Sequence, residues 1–309
     1  MPAKMLCART LASILTVGFV LSPYSAAQSA TAVAAGPKVS VAFFPNGNHG
    51  EPVAAITQAD VAVLDNKKAP QVILGLKSRT DLPLRMGLVI DSSNSESKSG
   101  LYQPAVQAAI DFLNKVLVTP EDKVFVEKFD VLPEATEFVS KQQFSAIKLN
   151  LAPAGPTALY DALRFACDQR IKGGPSQDSF RVIVLLSDGE DNQSHNTRND
   201  AIASAQRAGA VIFAVSTDEN SYGARGGARG NETLKHLADE TGGIAFLHLN
   251  KKELPKVFTI IEEQIENMRL LSYVPADPLH DGQYRSVELK PAKNDLKLRF
   301  PKGYFVTAP

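Results

Sequence analysis

The chain has 309 residues, and its 33 basic side chains are matched by 33 acidic ones, so the formal net charge is zero. Without a basic excess or a long run of like charge it lacks the electrostatic footprint of a protein that grips a phosphate backbone, and nucleic-acid binding is not expected. A hydrophobic share of 44% and a charged share of 21% exclude an extended disordered chain and suit a folded domain with a full core.

Lys4 and Arg9 lead into the apolar residues 11–21, which are followed by Pro23 and the small residues Ser25-Ala26-Ala27. This order predicts a signal peptide over residues 1–27 and export to the periplasm or out of the cell. The apolar run falls well short of the roughly 20 residues that span a bilayer, so no transmembrane segment is expected beyond the signal. Cys7 precedes that run, whereas a lipid-anchor cysteine would follow it, and after cleavage only Cys167 is left. One cysteine makes neither an internal disulfide nor a thiolate metal site. Cys167 follows the helical stripe Ala158, Leu159, Ala162, Leu163 and Ala166, which predicts a buried thiol.

Residues 28–37 are small and featureless and are expected to be a linker. From 38 to 81, short alternating runs at 39–43 and 61–64 are separated by Asn46-Gly47-Asn48 and Asp65-Asn66, which predicts an N-terminal β segment. From 82 to 272, apolar strands alternate with amphipathic helices. Strands are expected at 86–90, 124–129, 180–186, 211–215 and 244–249, and helices at 101–117, 158–170, 198–208, 232–240 and 252–271. Val182-Ile183-Val184-Leu185-Leu186 is apolar throughout, as a strand covered on both faces must be. The ordering predicts an α/β domain built on a doubly wound, mostly parallel sheet. Residues 273–309 return to alternation, at 284–289 and 296–300, as a C-terminal β segment. Each flank alone holds too few strands to be stable, so the two are expected to pack together.

The residue types that carry chemistry sit where the first parallel strand ends. Ile90 gives way to Asp91-Ser92-Ser93-Asn94-Ser95. In an extended segment alternate side chains share a side, so Asp91, Ser93 and Ser95 present one carboxylate and two hydroxyls together. These are hard oxygen donors, and magnesium binds through one or two carboxylates while keeping water. Alone, the pattern fits an Asp/Ser-rich turn capping the next helix equally well. Two further segments follow in order. Gly155-Pro156-Thr157-Ala158-Leu159 places a threonine hydroxyl where a helix starts, and the apolar run at 182–186 leads into Ser187-Asp188-Gly189-Glu190-Asp191-Asn192.

These three pieces, in this order, resemble the metal-ion-dependent adhesion site (MIDAS) of von Willebrand factor type A domains, over roughly residues 82–272. The resemblance implies a Rossmann-like fold, a site formed by Asp91, Ser93, Ser95, Thr157 and Asp188, and a divalent cation, Mg2+ or else Mn2+ or Ca2+. It implies direct ligation by Ser93 and Ser95, with Thr157, Asp91 and Asp188 reaching the ion directly or through water. An ion facing two carboxylates still attracts an acidic group at an open coordination position, so the partner implied is a protein presenting Asp or Glu. The flanking text is similar to that of bacterial exported type A-related proteins, whose chains follow the domain with a strand pair and a basic-Gly-Tyr signature. Here that signature is Lys302-Gly303-Tyr304, set apart from Arg299 by Phe300 and Pro301.

The expected function is therefore a metal-dependent adhesion or scaffold module, not an enzyme. A structural envelope protein whose metal only stabilises the fold is the alternative. A hydrolase is the remote one: Ser93, Asp188 and His195 supply triad residue types, but no Gly-x-Ser-x-Gly elbow accompanies them. His49, His236, His248 and His280 show no paired metal spacing. The Gly/Arg-rich residues 221–230 lack the spacing of a dinucleotide site and are expected to be an exposed basic loop beside the metal, with Arg225 and Arg229 facing an acidic partner.

Overall fold

Strands that are apolar at every position need cover on both faces, and helices with a single apolar stripe supply it. The computed structural model describes residues 38–147, 151–172, 178–218, 225–277 and 281–306. The expected signal peptide and linker, residues 1–37, lie outside the described residues.

In chain order come β1 (Val39–Asn46), a short 3-10 turn (Gln58–Asp60), β2 (Val61–Asp65) and β3 (Val72–Ser78). Next are β4 (Leu84–Asp91), a second 3-10 turn (Asn94–Lys98), α1 (Tyr102–Val116), β5 (Lys123–Phe129) and β6 (Pro133–Ala135). They are followed by α2 (Lys141–Phe144), α3 (Leu159–Phe165) with its π-type continuation (Ala166–Ile171), β7 (Phe180–Ser187) and α4 (Arg198–Ala208). After these come β8 (Val211–Ser216), α5 (Arg225–Thr241), β9 (Ala245–Phe246) and α6 (Leu254–Glu266). The remaining strands are β10 (Arg269–Val274), β11 (Tyr284–Pro291), β12 (Lys297–Arg299) and β13 (Gly303–Phe305).

The main sheet has the order β6-β5-β4-β7-β8-β9 and is parallel except for β6. Alternate residues of β4 feed its two cores. Leu84, Met86, Leu88 and Ile90 pack with α1 and α6, while Val89 joins Ile183 and Leu185 of β7 under α3, α4 and α5. This is the doubly wound α/β arrangement expected. From β4 the chain steps outward to β5 and β6 and then crosses back to β7 on the other side of β4. Such a reversal makes the carboxyl end of β4 a topological switch point, where the flanking connections diverge and leave a crevice. Asp91 is the last residue of β4.

The two flanks form a second layer. β1 pairs antiparallel with β10 and β12, and β2 pairs with β11, so the N-terminal and C-terminal segments do pack on each other. Val41, Phe43, Val63, Leu271, Tyr273 and Leu289 lie within their shared apolar cluster. The layer is stitched to the helices and main sheet as well. Phe44 meets Phe213 of β8 edge-on at 5.5 Å, and Gln264 of α6 donates to Asn46 Oδ1 at 2.9 Å.

The structure corrects the helix expected over 252–271. α6 ends at Glu266, and Arg269–Val274 is instead the buried strand between β1 and β3. Apolar residues at 268, 270 and 271 continue the helical spacing and conceal the change. Asn267 ends the helix, its side-chain amide donating to Glu263 O at 2.9 Å, and pairing on both edges then fixes the strand. β10 thus runs across residue 272, where the sequence pattern begins the C-terminal β segment.

Asp65 closes the strand layer. It ends β2, is buried, and its Oδ2 accepts hydrogen bonds from Tyr273 Oη at 2.8 Å and Tyr304 Oη at 2.7 Å. Tyr273 belongs to the four-stranded sheet and Tyr304 to the three-stranded one, so this carboxylate joins the two. The tyrosine of the Lys-Gly-Tyr signature therefore has a structural task. A Tyr304→Phe substitution should lower unfolding free energy by about 1.5–3 kcal/mol, the usual loss for a hydrogen bond to a charged group, and an unchanged urea midpoint would refute this.

Candidate metal centre

Three loops meet at the carboxyl end of β4. In the first, the Ser93 N–H donates to Asp91 Oδ1 at 3.0 Å, and Ser93 Oγ lies 3.0 Å from Ser95 Oγ. The local turn alone gathers these three residues, with Asp91 and Ser93 fully buried and Ser95 exposed. The second loop precedes α3 and is held to the first through its backbone, from Ala154 N to Ser92 O at 2.7 Å and from Asn94 N to Gly155 O at 2.8 Å. It carries Thr157, which is buried, donates its N–H to Asn192 Oδ1 at 3.0 Å, and accepts from the N–H groups of Asn192 and Gln193. The third loop leaves β7. Ser187 Oγ donates to Asp91 Oδ2 at 2.7 Å and accepts from Gly189 N at 2.9 Å, while Asp188 Oδ1 accepts from Glu190 N at 3.0 Å. Asp91, Ser93 and Ser95 are thus joined by direct contacts, Asp188 arrives through its neighbour Ser187, and Thr157 through backbone bonds.

The structure adds a residue that the sequence pattern leaves out. Glu96, in the 3-10 turn after Ser95, is only 2% exposed. Its Oε1 accepts from Asp188 N at 3.2 Å and from Thr217 Oγ1 at 2.6 Å, and its Oε2 is buried with no hydrogen-bond partner among the described residues. Asp91, Glu96 and Asp188 offer carboxylate oxygens that all lie within 4.8 Å of one another. Among the described residues, no ion pair involves any of the three. In the sequence Glu96 is one polar residue in a polar run. Only the tight turn, with about three residues per revolution, swings it under the loop.

Burial, and then the charge of Asp188, pushes the Asp91 carboxyl up to about 7. Burial, and then the charge of Asp91, pushes Glu96 up to about 9. Like charges crowded into a low-dielectric site resist ionising together, and no ion pair among the described residues relieves them. A divalent cation would supply the missing positive charge. The donors are carboxylates and hydroxyls, a hard oxygen set that fits Mg2+, Mn2+ or Ca2+.

Sheet order, helices on both faces and three loops meeting at the end of β4 are the arrangement that the Asp-x-Ser-x-Ser resemblance implies. In this arrangement the domain resembles von Willebrand factor type A domains. No protein-family model matches the sequence, and no curated protein matches it. Solved structures similar to it include a von Willebrand factor type A protein from Catenulispora acidiphila, at 14% identity and TM-score 0.48 over 89% of this chain and 74% of that one. An aerotolerance-related membrane protein from Bacteroides fragilis, with multiple mutations to serine, has 22% identity and TM-score 0.43 over 59% of this chain and 98% of that one. Proximal thread matrix protein 1 from the mussel byssus, with a zinc-occupied MIDAS motif, has 16% identity and TM-score 0.45 over 62% of this chain and 48% of that one.

Around the type A-like site, the loop expected at 221–230 is corrected in part. Residues 219–224 lie outside the described residues, but Arg225 already begins α5, well ahead of the helix expected at 232–240. Gly-rich text is a poor helix former, which hides this start. Tertiary contact decides it: Gly230 packs on the Asp188 loop so closely that a Cβ there would overlap Asp188 O, and one on Gly189, at φ +81°, would overlap Gly230 O. His195 is exposed, with its ring Nδ1 3.2 Å from Asp161 Oδ2. Cys167 is fully buried, as its helical stripe predicts, and burial pushes its thiol up.

Two outcomes are expected. Below about pH 3 both Asp91 and Glu96 are protonated in the folded and the unfolded chain. Above that, the unfolded chain releases protons that the metal-free fold retains, so stability declines until pH passes about 7 for Asp91 and about 9 for Glu96. Thermal unfolding of EDTA-treated protein should therefore worsen from about pH 5 to about pH 9 relative to a Glu96→Gln variant, and a pH-independent difference would contradict this. A Gly230→Ala substitution should cost about 1–3 kcal/mol by overpacking and also weaken divalent-ion binding, because it displaces Asp188. Calorimetry showing wild-type stability and affinity would rule out the contact as a support.

Proposed function

We propose that the protein is an exported, metal-dependent binding module whose divalent cation captures an acidic group of a protein partner. The observation that carries this reading is the convergence of three carboxylates, two of them buried and none ion-paired among the described residues, on the crevice of a type A-like sheet. Asp91, Ser93, Ser95, Thr157 and Asp188 would hold the ion, which supplies positive charge toward an incoming carboxylate. Ser95 is exposed and Asp188 half-buried, so the outer side of the site faces solvent where a ligand arrives. The export part rests on the N-terminal sequence pattern. No helix among the described residues is long and apolar enough to cross a membrane.

Binding rather than turnover suits the side chains present. Ser187 spends its hydroxyl on Asp91, and His195 lies against Asp161. A second reading, in which the cation only stabilises the loops, is favoured by the electrostatic cost of three clustered carboxylates without it.

Asp91→Ala and Asp188→Ala should each abolish magnesium binding in calorimetry while the circular dichroism of the fold persists. EDTA separates the two readings when applied to a pull-down from envelope extract. Release of a captured protein supports the binding module, whereas a lowered melting temperature with capture unchanged supports the structural role.

A further inference from the structure

Resting on the metal reading above, we infer that Glu96 is itself a ligand of the divalent cation, so that three carboxylates rather than two hold the ion. Glu96 directly follows the Asp-x-Ser-x-Ser run, and the turn over Asn94–Lys98 folds it beneath that run to 2% exposure. One of its carboxylate oxygens lies within 4.8 Å of those offered by both Asp91 and Asp188.

The two oxygens of Glu96 have different surroundings. Oε1 is committed to the Asp188 amide and the Thr217 hydroxyl, whereas Oε2 is buried without a hydrogen-bond partner among the described residues. A buried carboxylate oxygen left unpaired is costly, and a bond to a cation removes that cost. The Thr217 and Asp188 donors then do what outer partners of metal ligands do: they hold the carboxylate in one orientation. Because Thr217 follows β8, this support ties a third strand end into the site.

The consequence is one of charge. Asp91 and Asp188 already neutralise a dication formally, and Glu96 leaves the loaded centre with a net negative charge. The chain thus supplies internally the type of group that a partner's Asp or Glu would bring. A partner's carboxylate competes with Glu96 for the ion instead of meeting uncompensated positive charge.

Manganese titration by calorimetry tests this. Glu96→Gln keeps an acceptor for Thr217 and Asp188 at the same reach but removes an anionic ligand oxygen. Its Mn2+ affinity should fall about tenfold or more, since even outer-shell substitutions cost that much. Circular dichroism and the melting temperature in EDTA should be no worse than wild type. Unchanged or tighter Mn2+ binding by the variant would overturn the inference. If the variant does not fold, a crystal structure of the manganese-loaded wild type decides, with a Glu96 oxygen within about 2.6 Å of the ion in support and one beyond about 3.5 Å against. A wild type that binds no divalent ion would overturn the metal reading itself. Wild-type binding that Asp91→Ala abolishes and Glu96→Gln leaves intact would overturn only the role of Glu96.

Discussion

Carboxylates repel one another more strongly inside a protein than in water, and three of them share the end of the central strand here. No ion pair among the described residues offsets them, so the surrounding structure has to hold them in place. The hydrogen bonds from Ser93, Ser187, Thr217 and the Asp188 and Glu190 amides orient the three groups without neutralising them. Backbone bonds among the loops, such as Ala154 to Ser92 and Asn192 to Thr157, keep the loops from drifting apart. The site is therefore preorganised for positive charge before any ion enters, and protons held on Asp91 and Glu96 relieve the repulsion in the meantime.

Sheet topology explains why this happens at Asp91 and not at another strand end. The chain leaves β4 in one direction and returns on its other side, so connections diverge there and leave a crevice. Connections after β4 and β7 and the one leading into α3 all reach that point. The second strand layer contributes at a distance. Phe44 enters the main core against Phe213, and Gln264 reaches Asn46, so the flanks are part of the packing that fixes the helices beneath the site.

Much of this was legible in the residues, because buried parallel strands and the Asp-x-Ser-x-Ser loop both leave strong local patterns. The main sheet follows from apolar runs such as 182–186, which admit few other environments. What escaped were features decided by contacts distant in sequence. β10 has apolar residues at helical spacing, and only its two neighbours in the sheet make it a strand. The glycines at the start of α5 carry no helical propensity, and the close approach of Gly189 explains why position 230 has no side chain. Glu96 gave no periodic signal, since a single 3-10 turn buries it. The Tyr304 signature was visible as text, but its partner Asp65 lies far away in the chain and only the fold brings them together.

β10 has a mechanical side as well. Only Asn267 and Met268 separate the end of α6 from this strand, which is hydrogen-bonded along both edges, and Gln264 adds a tether to β1. α6 is consequently clamped at its C-terminal end, like a rod welded to a plate. Any axial stroke of that helix has to drag the four-stranded sheet with it or shear the strand out. Tension applied to either flank is delivered to α6, and through its packing on α1 to the helix that follows the Asp91 loop.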